Sequence, residues 1–241
     1  MRTDLYEDMY KTEETHWWHR AKRTVVCNIL NTLGSKKELK ILDVGCGTGK
    51  NLESFSVFGE VWGVDSADEA IYFCKQRLQE NVIKASIDKI PLPDEGWDVI
   101  TLLDVLEHVD QETALPELKR LLRPKGNIII TVPAFPSLWS QWDVILHHKK
   151  RYTIFSLTQA LIQHGYTVDM IRYMHSYLFI PAYLMRKFKN QHPNGEYRSD
   201  FEHSNALINA IFSFLFKTEL YLSRFFTIPF GTSIICLAHK P

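Results

Sequence analysis

The chain has 241 residues, 45% of them apolar, enough to bury a sizeable core within one α/β domain. Lys+Arg and Asp+Glu both number 28, so no net positive field draws the protein to nucleic acid, and a small-molecule partner is expected instead. The four cysteines, Cys27, Cys46, Cys74 and Cys236, show no CxxC spacing, which argues against a zinc or other metal site and against a disulfide framework, and for a reducing compartment.

In chain order, the first stretch, MRTDLYEDMYKTEETHWWHR, is too charged for a signal-peptide core. No run approaches the ~18 apolar residues of a membrane span, so a cytoplasmic protein is expected. Residues 14–20, ETHWWHR, place Trp17, Trp18 and Arg20 ahead of a helix, where the tryptophans either pin the segment to the body or face an acceptor. From Leu39 onward LKILDV, EVWGVD, NVIKASI, WDVITLLD and GNIIITVP read as strands, each followed by a stretch long enough for a helix. These strands are nearly apolar throughout, as a mostly parallel sheet covered by helices on both faces requires, so a three-layer α/β sandwich is expected. LPELKRLLRPKGN reads as a helix stopped by RPKG, and residues 134–153 are aromatic and cationic without a period, which suggests a functional loop. TIFSLTQALIQHGY is a helix stopped at Gly165, TVDMIRYMHSY a strand, and TSIICLAH the closing strand.

In DVGCGTG the chain leaves a strand, turns through Gly45, Gly47 and Gly49, and enters a helix; glycine permits the positive φ and close backbone approach that a ligand against this turn needs. The second strand ends in Asp65, ~20 residues after Gly45, where a carboxylate can accept from the hydroxyls of a ribose. The spacing is GxGxG rather than GxGxxG, and Asp43 puts a negative charge where a dinucleotide would put its pyrophosphate. That favours a ligand with an ammonium or sulfonium group, and leaves an NAD-dependent oxidoreductase as the alternative.

LDVGCGTG, VWGVDSADEAI, IPLPDEGWDVITLLDVLEHV, ELKRLLRPKGNIIITVP and the late TSIICLAHK, taken in order, resemble the successive motifs of class I S-adenosylmethionine-dependent methyltransferases. The resemblance implies a Rossmann-like seven-stranded sheet with the last strand antiparallel and S-adenosylmethionine (SAM) as cofactor. It implies that Asp43, Gly45, Cys46, Gly47 and Gly49 approach the amino-acid portion of SAM, that Asp65 with Ser66 holds the ribose, and that Ser86 and Ile87 cover adenine. By the same resemblance Leu103 and Asp104 would border the methionine part. Serine at 86 departs from the acidic residue of many relatives and leaves Asp88 as a substitute. A SAM-binding protein without turnover remains the alternative within this family.

Methyl transfer requires an aligned acceptor, excluded water and, for a hydroxyl or ammonium, removal of a proton. The expected acceptor residues are Trp17, Trp18, Arg20, Trp139 and Arg151, and the expected proton-handling residues are His147, His148, His108 and Tyr152. Three parts are expected: an amino-terminal helical cap (1–38), the SAM-binding domain (39–178 and 229–241) and a helical lid insertion (179–228). Residues 206–226 read as an amphipathic helix with a narrow polar stripe of Asn209, Ser213, Lys217 and Arg224; its broad apolar side needs a partner, either an acceptor with a hydrophobic portion or a membrane surface touched peripherally.

Overall fold

A computed structural model describes residues 3–34, 38–188 and 205–241. Seven strands, β1 (Leu39–Val44), β2 (Gly59–Asp65), β3 (Val82–Lys84), β4 (Trp97–Leu103), β5 (Leu122–Pro133), β6 (Thr167–Met174) and β7 (Ser233–His239), form one sheet in the order β3-β2-β1-β4-β5-β7-β6. β7 runs antiparallel to both neighbours, whereas the β1, β2, β3, β4 and β5 pairings are parallel. The expected sheet, with its reversed last strand, is the observed one. Its winding changes direction between β1 and β4, and in such sheets the crevice at the carboxyl ends of those two strands is where ligands bind.

Alternate strand residues feed two cores. Leu42, Ile100, Ile130 and Cys236 are buried on one face under α5 (Gln111–Leu121) and α7 (Ile154–Gln163). Ile41, Val99, Ile129 and Ile235 are buried on the other, under Val25, Val26, Ile29 and Leu30 of α2 (Trp17–Leu33). Each such side chain stabilises the fold by about 1.5–3 kcal/mol, which makes the strands a rigid base for the loops at their ends. α5 begins before its leucine repeat because Asp110 caps it, accepting from the Glu112 amide at 3.1 Å.

The turn after β1 needs its glycines. Gly45, Gly47 and Gly49 have φ of 76°, 56° and 84°, and a Cβ at Gly45 would lie 2.3 Å from Cγ2 of Val105. Gly45→Ala is expected to lower unfolding stability by about 2 kcal/mol or more, combining left-handed strain with overpacking, and a urea midpoint measures it.

Two expectations need correcting. β6 ends at Met174 rather than continuing through Tyr177, because His175 turns at φ 58° into α8 (Ser176–Phe188). Glu219 of α9 (Ala206–Leu222) accepts from the amides of His175 and Ser176, both at 2.7 Å, and so caps the start of α8. The expected polar stripe is also divided: Asn209 and Ser213 are half-buried, whereas Lys217 and Arg224 are exposed. Its buried residues are Phe216 and Glu219, and Asn209 accepts from the Trp17 amide at 3.0 Å, while Leu207, Phe214, Tyr221 and Phe225 are exposed. The expected insertion at 179–228 takes in most of α8 and all of α9, and its residues 189–204 lie outside the described residues. No described helix is long and apolar enough to cross a membrane.

Candidate active site

A cleft of about 2150 Å³ opens at the carboxyl ends of β1, β2 and β4. Of the residues expected to hold the cofactor, Gly45, Cys46, Gly47, Asp65, Ser66, Ser86, Ile87, Leu103 and Asp104 line it. Asp43 and Gly49 do not: Gly49 starts α3 (Lys50–Phe55), and Asp43 lies beneath the turn, 1% exposed. Thr101 donates its hydroxyl to Asp43 Oδ1 at 2.5 Å, and Oδ2 has no hydrogen-bond partner. Burial pushes the Asp43 carboxyl up to about 7, against the pull of the Thr101 and Asn51 side chains.

Asp65 ends β2 facing the cleft, its oxygens accepting from the amides of Gly47 and Ala67, each at 3.0 Å. Burial raises its carboxyl despite those bonds. Cys46 is buried with its sulfur 3.9 Å from that of Cys74, a small filler behind the turn. At the third strand's end Ser86 donates to Asp88 at 3.2 Å, and Asp88 also accepts from Thr113 at 2.9 Å, so the two residues form one polar edge. Asp104 follows β4 at φ 56° and is held by the Lys22 ammonium and by Thr131, whose hydroxyl donates at 2.7 Å. Burial alone would raise the Asp104 carboxyl, but Lys22 and Thr131 outweigh it and hold it low.

The amino-terminal helix α1 (Thr3–Thr12) crosses the glycine turn: a Cβ on Gly47 would lie 2.7 Å from Cε of Met9. Glu13, buried behind it, accepts from Thr48 and from Arg77 (2.9 Å), and Glu14 pairs with Arg77 (2.8 Å) and Lys50 (3.0 Å). Both readings of the tryptophan pair meet here. Trp17 stacks on Phe212 at 4.8 Å and Trp18 on His175 at 4.3 Å, pinning α2 to α9 and to the end of β6, and both rings also line the cleft. Arg20 is exposed and away from the cleft, since helical spacing carries it to the other side of α2.

The opposite wall comes from residues 134–153, which are not an open loop but a 3₁₀ turn (Pro136–Leu138) and a short helix, α6 (Gln141–Ile145). Asp143, fully buried, accepts from His148 Nδ1 (2.8 Å), from Arg151 Nε (2.7 Å) and from the Ser140 amide (2.8 Å). Burial would raise the Asp143 carboxyl, but these partners hold it well below the usual range. His148 Nε2 is thereby turned inward, 4.0 Å from Oε1 of Glu107. Glu107 is 1% exposed and its Oε2 has no partner; burial and the Asp104 charge push its carboxyl well up. The His108 ring packs edge-on to His148, centroids 4.7 Å apart, and burial with the neighbouring His148 lowers its pKa to about 4.

Of the expected acceptor-side residues, His108, His147, His148, Trp139 and Arg151 line the cleft. The His147 side chain is exposed, and Arg151 spends its guanidinium on Asp143 and the Ala134 carbonyl. Tyr152 does not reach the cleft: it is 1% exposed, and its hydroxyl donates to the Leu106 carbonyl at 3.4 Å. The residues missed by sequence reasoning are Lys22, Glu107 and Asp143. Glu107 stands beside His108 in LEHVD and Asp143 beside Trp142 in WSQWD, so proximity to an expected residue was the available signal.

Residues 42–130 match the protein-family model described as a methyltransferase domain. That segment is a methyltransferase domain. The match accords with SAM, not a dinucleotide, as the cofactor. An uncharacterized methyltransferase of Schizosaccharomyces pombe is 34% identical over 180 residues, 65% of this chain and 63% of its own length. The ubiquinone/menaquinone biosynthesis C-methyltransferase UbiE of Burkholderia orbicola is 30% identical over 127 residues, 48% of this chain and 49% of that protein. The chain thus spans less than two thirds of the length of these curated relatives. Among solved structures, a SAM-dependent methyltransferase from Archaeoglobus fulgidus shares the fold, with a TM-score of 0.61 at 20% identity, covering 98% of each chain.

Proposed function

We propose that the protein transfers the methyl group of SAM to a hydroxyl or amine of a small, partly apolar molecule seated between the cofactor and the Glu107–His108–His148 wall. The observation that carries this reading is that Asp143 turns His148 Nε2 into the same cleft that holds the glycine turn and Asp65. SAM supplies a methyl carbon already activated by its sulfonium. The C–S bond breaks with its electron pair left on sulfur, the bond from carbon to the acceptor's nucleophile forms, and the nucleophile's proton is released at the histidine wall. The chain's own contribution is alignment and exclusion of water. Leu178, Pro181 and Met185 of α8 with Ile208 and Phe212 of α9 wall the far side, which suits an apolar portion of the acceptor. Carbon methylation is the second reading, favoured by the name of the UbiE relative.

The exposed Leu207, Ile211, Phe214, Phe225 and Phe226, flanked by Lys217 and Arg224, continue that apolar wall outward. On this reading they rest on an anionic lipid surface, and an amphiphilic acceptor reaches the cleft from there. The test is transfer of labelled methyl from SAM into lipid and aqueous extracts, with co-sedimentation on phosphatidylglycerol vesicles. Label in a lipid-soluble product is expected. Tight SAM binding with no labelled product in either extract would favour a binding protein without turnover.

SAM affinity is expected to depend on pH through Asp43. A carboxyl with a pKa of about 7 is ionised above that value and attracts the cationic cofactor; below it the carboxyl is neutral and the attraction is lost. Asp65, also raised, acts in the same direction. Calorimetry should show binding weakening three- to tenfold, about 1 kcal/mol, from pH 8 to pH 5.5, with a flatter profile for Asp43→Asn.

A further inference from the structure

Glu107, His108 and His148 each offer one ligand atom, and the three atoms all lie within 4.8 Å of one another. One carboxylate and two imidazoles so placed can cap one face of an octahedral ion and leave its other positions open. Two further features fit an ion. Glu107 is 1% exposed, yet its Oε2 makes no hydrogen bond, so a buried oxygen stands without a partner at this corner. His148 is fixed by a carboxylate through Nδ1, at 2.8 Å from Asp143, which leaves Nε2 as the coordinating nitrogen; metal-bound histidines are commonly oriented by such an outer carboxylate. Asp143 is itself clamped by Arg151 and the Ser140 amide, so the imidazole is held in place before any ion arrives.

We propose that Glu107, His108 and His148 bind a first-row divalent transition ion, and that its open positions hold the acceptor through two adjacent oxygens. Imidazole ligands select such ions over magnesium or calcium, which prefer all-oxygen sites. The inference rests on the methyltransferase reading of the cleft and names the feature an acceptor needs: vicinal hydroxyls, or a hydroxyl beside a carbonyl. With the ion in place the three side chains are ligands. The coordinated hydroxyl would be acidified, so that its proton leaves to water and not to an imidazole as the carbon–oxygen bond forms and the carbon–sulfur bond of SAM breaks.

The experiment uses the full chain stripped with a chelator and titrated with Mn²⁺, whose electron paramagnetic resonance signal falls on binding, and with Co²⁺, whose visible absorption reports imidazole ligation. About one ion per chain is expected. Glu107→Gln and His108→Asn should each weaken it at least ~100-fold, and Asp143→Asn ~10- to 100-fold, with SAM affinity within about twofold of the wild type. No binding of either ion at about 1 mM, or unchanged binding in the Glu107 and His108 variants, overturns the proposal. Full turnover by the stripped protein also overturns it and leaves the methyltransferase reading standing. Failure of the wild-type protein to bind SAM, by contrast, would remove that reading whatever the ion does.

Discussion

His148→Ala is expected to lower turnover about 10²-fold while leaving SAM affinity within about twofold, because the imidazole lines the proposed acceptor side of the cleft and not the glycine turn. The side chain is fastened from behind, with Nδ1 at 2.8 Å from Asp143, and its inward nitrogen is 4.0 Å from Glu107. Single-turnover kinetics at saturating SAM separates the two effects. Full activity of the variant would mean that proximity alone drives the transfer and that the histidine wall is only structure. His147→Ala serves as the internal control: its exposed ring makes no such contact, so a loss equal to that of His148→Ala would contradict the geometry.

Asp65→Ala should weaken SAM binding by about 1.5–3 kcal/mol, the range for hydrogen bonds to a charged group, or roughly 10- to 150-fold in dissociation constant. Two amides already converge on this carboxylate, from Gly47 and Ala67, and they hold it against the cleft, where the proposed site would bring a ribose diol to its remaining lone pairs. Asp65→Asn, which keeps one acceptor oxygen, should fall between the variant and the wild type. An unchanged dissociation constant in Asp65→Ala would take the residue out of the ribose site. The strands packed behind it do not depend on the carboxylate, so circular dichroism should report an intact fold.

The sheet and the glycine turn were legible in the sequence because their causes are local. A strand buried on both faces needs a nearly continuous apolar run, and a turn at φ of 56–84° needs glycine, so both leave marks in a few adjacent letters. The proposed acceptor half depends on contacts between distant residues. Asp143 matters because Arg151 and His148 fold back on it, and Lys22 because α2 brings it against Asp104, 82 positions later. Nothing in the spacing of those letters reports either contact. The α9 helix shows the limit of periodicity most directly. Its pattern predicts two unlike faces but not which one meets the body, and the polar side chains of Asn209 and Glu219 turn inward because the amides of Trp17, His175 and Ser176 need acceptors there. Tyr152 was misread for a related reason: a tyrosine in a basic stretch reads as reactive, but its ring fills the core and its hydroxyl is spent on a carbonyl.

The crossing of the glycine turn by α1 separates two boundaries that usually coincide. A chain trimmed to start at His16 would keep α2 and all seven strands, the turn, Asp65 and the histidine wall, and so everything that defines the fold unit. It would lose Tyr6, Met9 and Glu13, which line the cleft beside the glycine turn. The smallest piece that folds and the smallest piece that can enclose a ligand are therefore different lengths of the same chain. Deletion from the amino terminus should abolish the second property before it touches the first.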